Sequence, residues 1–309
     1  MNSSQDLLAN EPLVSVGIPT YNRPDGLRRT LECITGQTYK NLEIIVSDNC
    51  SLGPETEEVV REFIVKDGRI QYYRQEENRG PEFNFIFVLE KANGEYFMWA
   101  ADDDKWDKEF ISSCVLLLQN NKENGIAFCN IVNIDSFGRV IREYPLFEFD
   151  KFSGPNNYKS IFNYLKSPEI LGKANIVYGL FRLKLIKELW KTCPFSTDWG
   201  SDMCFVLGGL ARSGLSIDNR ILYYKTISRN SDKIECIDKI IVKNPKNHTF
   251  PFNKSVTYLK NNLKAVRGTK YFWLTMFVIV IRIPRSFVIF ISNSARFGIR
   301  NIIGVVASD

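Results

Sequence analysis

Apolar stretches alternate with helical patterns along the first third of the chain. Continuous apolar, β-rich runs predict four buried strands, at residues 13–19 (LVSVGIP), 42–47 (LEIIVS), 70–74 (IQYYR) and 96–100 (YFMWA). Between these runs, apolar side chains recur at helical spacing over residues 24–35, 54–66 and 83–92. This order predicts an α/β fold with a mainly parallel sheet that helices cover on both faces.

The pattern continues less regularly in the rest of the chain. Helices are predicted at residues 106–120, 161–165, 183–190 and 201–213, and strands at 126–134 and 217–224. Residues 140–154 are aromatic and loop-rich. We therefore predict an N-terminal extension (1–12), an α/β body (13–230) with halves at 13–106 and 107–230, and a separate C-terminal region (231–309).

Polar residues follow three of the predicted strands. They are Thr20-Tyr21-Asn22, Asp48-Asn49 and the acid triplet Asp102-Asp103-Asp104. Ligands of parallel α/β sheets bind at the carboxyl ends of the strands. Adjacent carboxylates repel one another unless a cation is bound, and oxygen ligands suit Mg²⁺ or Mn²⁺. A solvated acidic turn that caps the next helix is the alternative. The sequence contains no G-x-G-x-x-G fingerprint and no P-loop motif.

Composition narrows the chemistry. The chain has 309 residues, and its single histidine, His248, limits any Ser-His-Asp, Cys-His or His-rich zinc site to one residue. Seven cysteines without a C-x-x-C motif predict reduced thiols in a cytosolic protein. The polar start of the chain lacks the features of a secretory signal.

Charge is distributed unevenly. Residues 231–309 contain thirteen basic and four acidic residues, although the net charge of the whole chain is only +5. This basic region is also apolar at residues 271–281 (YFWLTMFVIVI) and 287–291 (FVIFI), too short for the about 20 residues of a membrane span. We predict that residues 260–306 bind an anionic membrane surface in its plane. A helical cap on the body, or a contact in a homo-oligomer, is the alternative.

Several segments together resemble the family 2 glycosyltransferases. They are VSVGIPTYN at 14–22, GQTY at 36–39, LEIIVSDNCS at 42–51, NRG at 78–80 and ANGEYFMWAADDDKW at 92–106. The resemblance covers about residues 13–230 and implies a GT-A fold and a transferase that uses a nucleotide-sugar donor. It assigns the donor to residues 13–106 and the acceptor to residues 107–230.

The resemblance also implies roles for individual residues. The nucleotide-sugar site would contain Pro19, Thr20, Tyr21, Asn22, Asp48, Asn78, Gly80 and Asp102. Tyr21 would stack on the base and Asp48 would accept the uracil N3–H; packing on the next helix and turn capping are the alternatives. Asp103 and Asp104 are the predicted metal ligands, and which of the three acids binds the metal is left open.

The family's catalytic base aligns with Asp202, within TDWGSDMCFVL at residues 197–207. Asp198 is the second candidate, and an ordinary N-cap role for Asp202 is the structural alternative. Ser201 stands where the family usually has glutamate, and Arg23-Pro24-Asp25 also departs from its pattern. We expect no role for His248 as a base.

The resemblance and the tail together suggest an inverting, metal-dependent transferase on the cytoplasmic face of the cell membrane. A UDP-sugar is the expected donor, and a glycan or lipid-linked acceptor of O-antigen or capsule synthesis the expected partner. We expect no nucleic acid as a partner. A nucleotidyltransferase and a non-catalytic membrane-associated protein remain the alternatives.

Overall fold

The computed structural model describes residues 11–144, 148–167, 171–196, 198–227 and 252–281. The strands are β1 (Val14–Thr20), β2 (Leu42–Asp48), β3 (Ile70–Arg74), β4 (Tyr96–Trp99), β5 (Lys105–Trp106), β6 (Asn124–Ile134), β7 (Val140–Glu143), β8 (Leu180–Arg182) and β9 (Gly214–Thr226). The α-helices are α1 (Pro24–Thr35), α2 (Glu55–Ile64), α3 (Gly80–Lys91), α4 (Phe110–Asn120), α5 (Tyr158–Lys166), α6 (Leu183–Thr192), α7 (Ser201–Arg212) and α8 (Phe252–Ala265). Short 3₁₀ turns cover Phe149–Lys151 and Lys173–Tyr178.

The strands form one nine-stranded sheet in the order β3-β2-β1-β4-β8-β6-β9-β5, with β7 paired to β6. Strands β1 to β4 pair in parallel, as do β6 and β9, whereas β8 is antiparallel to both of its neighbours. The predicted α/β fold with a mainly parallel sheet is confirmed. Both predicted halves contribute to this one sheet, and the proposed division of the chain into domains stays a prediction.

Several short strands were not predicted. β8 has three residues and β5 has two, which is too few for a recognisable periodicity. The predicted helix at 106–120 begins only at Phe110, because Trp106 pairs with β9 and stacks on Tyr223 with ring centroids 5.3 Å apart. Part of the segment predicted as loop-rich, 140–154, forms β7.

An aromatic cluster lies beneath the carboxyl edge of the sheet. The ring of Trp99, at the end of β4, contacts three other rings. The centroid of Phe85 in α3 lies 5.8 Å away, that of Phe205 in α7 lies 5.7 Å away, and that of Phe195, which precedes α7, lies 5.1 Å away. Its indole Nε1 donates to the carbonyl of Phe85 at 3.1 Å. Since buried aromatic rings bury large apolar areas and pack with defined geometry, this cluster fixes α3 and α7 relative to β4.

Helix α1 packs directly on the loop that carries the acid triplet. A Cβ at Gly26 would lie 2.3 Å from the carbonyl oxygen of Asp102, so only glycine permits this approach. One turn later, the Thr30 hydroxyl donates to the carbonyls of Ala101 at 2.9 Å and Asp104 at 3.3 Å. The start of α1 therefore sets the backbone position of the acids.

The C-terminal helices pack on α7. Tyr258 of α8 contacts Trp199 with ring centroids 5.1 Å apart, and Arg212 of α7 donates to the carbonyl of Ala265 at 2.7 Å. A further helical segment, residues 272–281, follows. None of the helices that the structure describes is long and apolar enough to cross a membrane. The predicted apolar run at 287–291 and His248 lie outside the described residues.

We expect Gly26→Ala to destabilise the fold by about 1–3 kcal/mol, because the new methyl group collides with backbone that carries the acids. This loss would occur although alanine is the better helix former. Denaturant unfolding measures it.

Gly68→Ala is the matched control, since no atom lies within 4 Å of a Cβ at that position. Equal unfolding free energies for the two variants would contradict the proposed role of Gly26.

Candidate active site

A cavity of about 610 Å³ opens at the carboxyl ends of β1, β4 and β9. Seven of the predicted site residues line it: Pro19, Thr20, Tyr21, Asn78, Asp102, Asp103 and Asp104. The prediction that these separate segments meet at one edge therefore agrees with the geometry of the fold. Their individual roles stay predictions.

The first two acids share one cation. Asp102 is 8% exposed, and it accepts a hydrogen bond from the Thr20 hydroxyl at 2.8 Å and one from Arg23 at 3.3 Å. The same guanidinium forms a close ion pair with Asp103, whose side chain is 35% exposed. Burial raises the pKa of Asp102 to about 6, against the opposing effects of Thr20 and Arg23.

Asp104 is held differently. It is 1% exposed, and its two oxygens accept hydrogen bonds from the Tyr223 hydroxyl and from the backbone N–H of Thr226, the latter at 2.7 Å. Burial raises its pKa, while the charge of Lys225 opposes that shift. Both oxygens of Asp104 are therefore engaged in holding the end of β9.

Asp48 does not line the cavity. It is fully buried, and one oxygen accepts from the N–H and hydroxyl of Ser51, at 2.9 and 2.6 Å. The other accepts from Tyr72 at 3.0 Å and Arg74 at 3.2 Å. Asp48 thereby orders the loop after β2, and its predicted contact with a base would require one of these partners to leave.

Asn22 and Gly80 also act on the loops rather than on the cavity wall. Asn22 has a φ of 55°, accepts from the N–H of Leu52 at 2.8 Å and donates its own N–H to Ser51, so it ties the first loop to the second. Gly80 has a φ of +84°, which favours glycine, and its N–H donates to Asn78 at 2.9 Å.

A second cavity of about 250 Å³ contains Asp202 and Asp198. Phe85 and Tyr178 line both cavities, so the two are neighbours across these rings. Asp202 lies in the first turn of α7, whose N-cap is Gly200. The predicted base thus lies beside the cavity that holds the acid triplet.

Asp202 accepts a hydrogen bond from its own helix. Its Oδ1 accepts from the N–H of Met203 at 2.7 Å. Burial raises the pKa of Asp202, while Met203 and the charge of Lys225 act against it. Asp198, in contrast, accepts from Asn261 of α8 at 3.0 Å.

Sequence reasoning missed several cavity residues. Arg23 belongs to the segment that departs from the family pattern, and Lys225 and Thr226 lie just past the predicted end of their strand. Asn84 lies within a predicted helix, yet it lines the cavity while its amide donates to the carbonyls of Thr20 and Ser47. The only signal in the sequence for Lys225 is that it directly follows a predicted strand, 217–224.

The carboxylates can be compared with what a divalent cation needs. Mg²⁺ is commonly held by one or two carboxylates together with substrate phosphates. Asp103, with one oxygen of Asp102, supplies such a set once Arg23 moves aside. No three metal-ligating side chains converge into a preformed cage among the described residues. The residues therefore fit a cation that is completed by substrate oxygens.

The mainly parallel sheet and the acidic cavity at its carboxyl edge agree with the GT-A fold that the resemblance implies. The model of glycosyl transferase family 2 matches residues 15–183, more than half of the chain, and this chain belongs to that family. The predicted family and enzyme class are confirmed.

Two relatives illustrate this membership. An uncharacterised glycosyltransferase of Methanocaldococcus jannaschii is 26% identical over 275 residues, 87% of this chain and 86% of the relative. A GalNAc(5)-diNAcBac-PP-undecaprenol beta-1,3-glucosyltransferase of Campylobacter jejuni is 35% identical over 136 residues. That second match covers 43% of this chain and 42% of the relative.

Solved structures share the fold. The mannosyltransferase PcManGT from Pyrobaculum calidifontis, in complex with GDP-Man and Mn²⁺, has a TM-score of 0.60 at 16% identity, covering 97% of this chain and 81% of its own. S. aureus TarS in complex with UDP-GlcNAc has a TM-score of 0.53 at 18% identity, covering 84% of this chain and 75% of its own. At these identities the similarity establishes the fold alone.

We expect Asp202→Asn to lower kcat for sugar transfer by about 10²–10⁴, the usual contribution of a general base. A base works when deprotonated, and burial raises the pKa of Asp202. The acid limb of the kcat/KM profile should therefore lie above the ordinary aspartate pKa of 3.8.

The control is Asp198→Asn in the same cavity, which should keep most of the activity. Loss of activity in Asp198→Asn with a fully active Asp202→Asn would reverse the assignment.

Proposed function

We propose that this enzyme transfers a sugar from a UDP-sugar to a hydroxyl of a lipid-linked glycan, with inversion at the anomeric carbon. The observation that carries the proposal is the shared wall between the two cavities. Through Phe85 and Tyr178, the cavity of the acid triplet adjoins the cavity of Asp202. A donor in the first cavity and an acceptor in the second would meet at this wall.

The donor's nucleoside would lie against the loops after β1 and β2. Tyr21 is 36% exposed in the cavity wall, so its ring is available to stack on a base. Thr20, Asn78 and Asp102 offer polar atoms for the ribose and phosphates. Asp48 would act by ordering Ser51 and Arg74 around the base. The UDP-GlcNAc complex of TarS, a relative in fold, supports a uridine nucleotide.

Asp103 and Asp102 would hold Mg²⁺ or Mn²⁺ together with the donor's diphosphate. When bound, such an ion stabilises the negative charge that develops on the leaving diphosphate. Binding requires Arg23 to leave Asp103, and phosphate oxygens are suitable new partners for its guanidinium. The Mn²⁺ in the PcManGT complex supports the use of a divalent ion by this fold.

The reaction is a single displacement. Asp202 takes the proton of the acceptor hydroxyl, whose oxygen bonds to the anomeric carbon from the face opposite the leaving group. The bond from that carbon to the diphosphate oxygen breaks, and the nucleoside diphosphate leaves with the electron pair. Because one displacement occurs, the configuration inverts and no covalent enzyme intermediate forms.

A membrane surface is proposed as the place where the acceptor is reached. Four apolar side chains along one side of the segment 272–281 are exposed, namely Trp273 (74%), Phe277 (63%), Val280 (56%) and Ile281 (55%). We call these four residues the apolar stripe. The opposite side packs on the body through Tyr271, Thr275 and Val278. Exposed Arg267 and Lys270 precede the stripe, a combination typical of helices in an anionic membrane interface.

The lipid-linked acceptor is supported by the C. jejuni relative, whose name specifies an undecaprenol-linked substrate. A transferase on the cytoplasmic face of the cell membrane, acting in cell-surface polysaccharide synthesis, would meet both a cytosolic nucleotide sugar and such an acceptor. This localisation belongs to the proposal.

Asp103→Ala is expected to abolish the effect of Mn²⁺ on UDP binding, a loss of about tenfold or more in affinity because one charge-assisted ligand is removed. Isothermal titration of UDP with and without Mn²⁺ measures this difference.

Arg23→Gln is the companion variant, and it should strengthen Mn²⁺ binding because a competing cation is removed. GDP and dTDP serve as alternative nucleotides in the same titration. A wild-type protein that binds none of the three, with or without Mn²⁺, would overturn the proposed donor class.

Trp273→Ser with Phe277→Ser is expected to weaken binding to vesicles that contain phosphatidylglycerol by more than about tenfold, since each buried aromatic contributes about 1.5–3 kcal/mol. Vesicle cosedimentation measures this partitioning, and transfer to a water-soluble acceptor should remain unchanged.

The matched control replaces Val65 and Leu116 with serine, because both are exposed apolar residues outside the stripe, at 87% and 58%. Equal vesicle binding by the two double variants would contradict the membrane role.

A further inference from the structure

Two polar side chains at the end of β9 lie beside the acidic cavity without a hydrogen-bond partner among the described residues. Lys225 and Thr226 line this cavity together with the acid triplet. Lys225 has no hydrogen bond and no ion pair within 4.0 Å among the described residues, and the buried hydroxyl of Thr226 has no hydrogen-bond partner there. A cation and a hydroxyl without hydrogen-bond partners at a cavity wall indicate a binding site for a ligand's oxygen atoms.

The sheet determines this position. In β9, Tyr224 pairs with Lys105 of β5, and Lys225 pairs with Asn133 of β6. β5 directly follows the acid triplet, so its pairing brings the end of β9 to the acids. The backbone N–H of Thr226 donates to Asp104 at 2.7 Å and fixes the approach. Lys225 is therefore held by strand pairing rather than by a loop.

The charge of Lys225 acts on acids in both cavities. Burial lowers its pKa, but Tyr178, Asp104 and Asp103 raise it more, so the ammonium stays protonated across the physiological range. Its charge also counteracts the raised pKa of Asp202. The ammonium lies over the ring of Tyr178, 5.1 Å from the centroid, and Tyr178 separates the two cavities.

We propose that Lys225, assisted by the Thr226 hydroxyl, binds the β-phosphate of the nucleotide-sugar donor and stabilises it as the leaving group. The inference rests on the proposed function of the same cavity. The β-phosphate carries the sugar, so in this proposal it would lie between the acids that would hold the metal and the base that would face the acceptor hydroxyl. Lys225 is the cation at this boundary, and its charge balances the negative charge that grows as the bond to the sugar breaks.

A purely structural role would have a different signature. If Lys225 served only to neutralise the acids, its removal would change UDP and UMP binding by the same factor and, as at Arg23, would strengthen Mn²⁺ binding. A lysine that binds the β-phosphate instead discriminates a nucleoside diphosphate from a monophosphate. The comparison of UDP with UMP therefore separates these two roles.

The experiment titrates UDP and UMP in Mn²⁺ into the full chain and its variants by calorimetry. Lys225→Met should weaken UDP binding by about tenfold to a hundredfold, as expected for the loss of a charged hydrogen bond. UMP binding should change by less than about twofold. Lys225→Arg should recover most of the UDP affinity, and Thr226→Val should cause a smaller loss for UDP alone.

Lys184→Met is the matched control, because Lys184 is exposed on α6 and does not line either cavity. Unchanged UDP binding in Lys225→Met, or an equal loss for UDP and UMP, would overturn the inference while leaving the proposed function intact. A wild-type chain that binds no UDP would instead overturn the proposed donor, and the inference with it. If Lys225→Met does not fold, the Thr226→Val and Lys225→Arg titrations decide by the same comparison.

Discussion

Asp102, Asp103 and Asp104 bring three carboxylates to the end of one strand, where burial makes an unbalanced charge costly. Two parts of the chain balance the acids. Arg23, at the start of α1, pairs with Asp102 and Asp103, whereas Tyr223, Thr226 and Lys225, at the end of β9, act on Asp104. The need to balance the acids therefore joins the two halves of the sheet. The close approach at Gly26 and the Thr30 hydroxyl hold the same loop from a third side.

The same requirement explains why the site is ready for a ligand. Both oxygens of Asp104 accept internal hydrogen bonds, whereas Asp103 is paired with one half-exposed arginine, Arg23. A guanidinium on a long side chain is displaced more easily than a backbone N–H in a strand. The triplet thus combines a fixed structural acid, Asp104, with an exchangeable one, Asp103. Two adjacent aspartates thus have different roles because their surroundings differ.

The amino-acid sequence predicted what local pattern controls. The four parallel strands and the acids at the strand ends follow from apolar runs and from the geometry of parallel sheets. It did not predict β5 or β8, which are too short for a period, nor the placement of Lys225, which depends on pairing between residues more than a hundred positions apart. Asp48 shows a different limit. Its position was predicted, but one of its oxygens is occupied by Ser51 and the other by Tyr72 and Arg74, and the sequence predicts only strand residues at those last two positions.

Helix α7 connects the proposed catalytic base, Asp202, to the C-terminal helix α8. Its first turn holds Asp202, and its last residue, Arg212, donates to the carbonyl of Ala265 of α8. Just before α7, Trp199 packs on Tyr258 of the same helix α8. Behind it, the aromatic cluster around Trp99 fixes the same helix to the strand that ends in the acids. The helix that carries Asp202 is therefore held from two sides, by α8 and by β4. Because both contacts are made by packed side chains and backbone carbonyls, the position of Asp202 relative to the acid triplet depends on the whole body of the fold rather than on one loop.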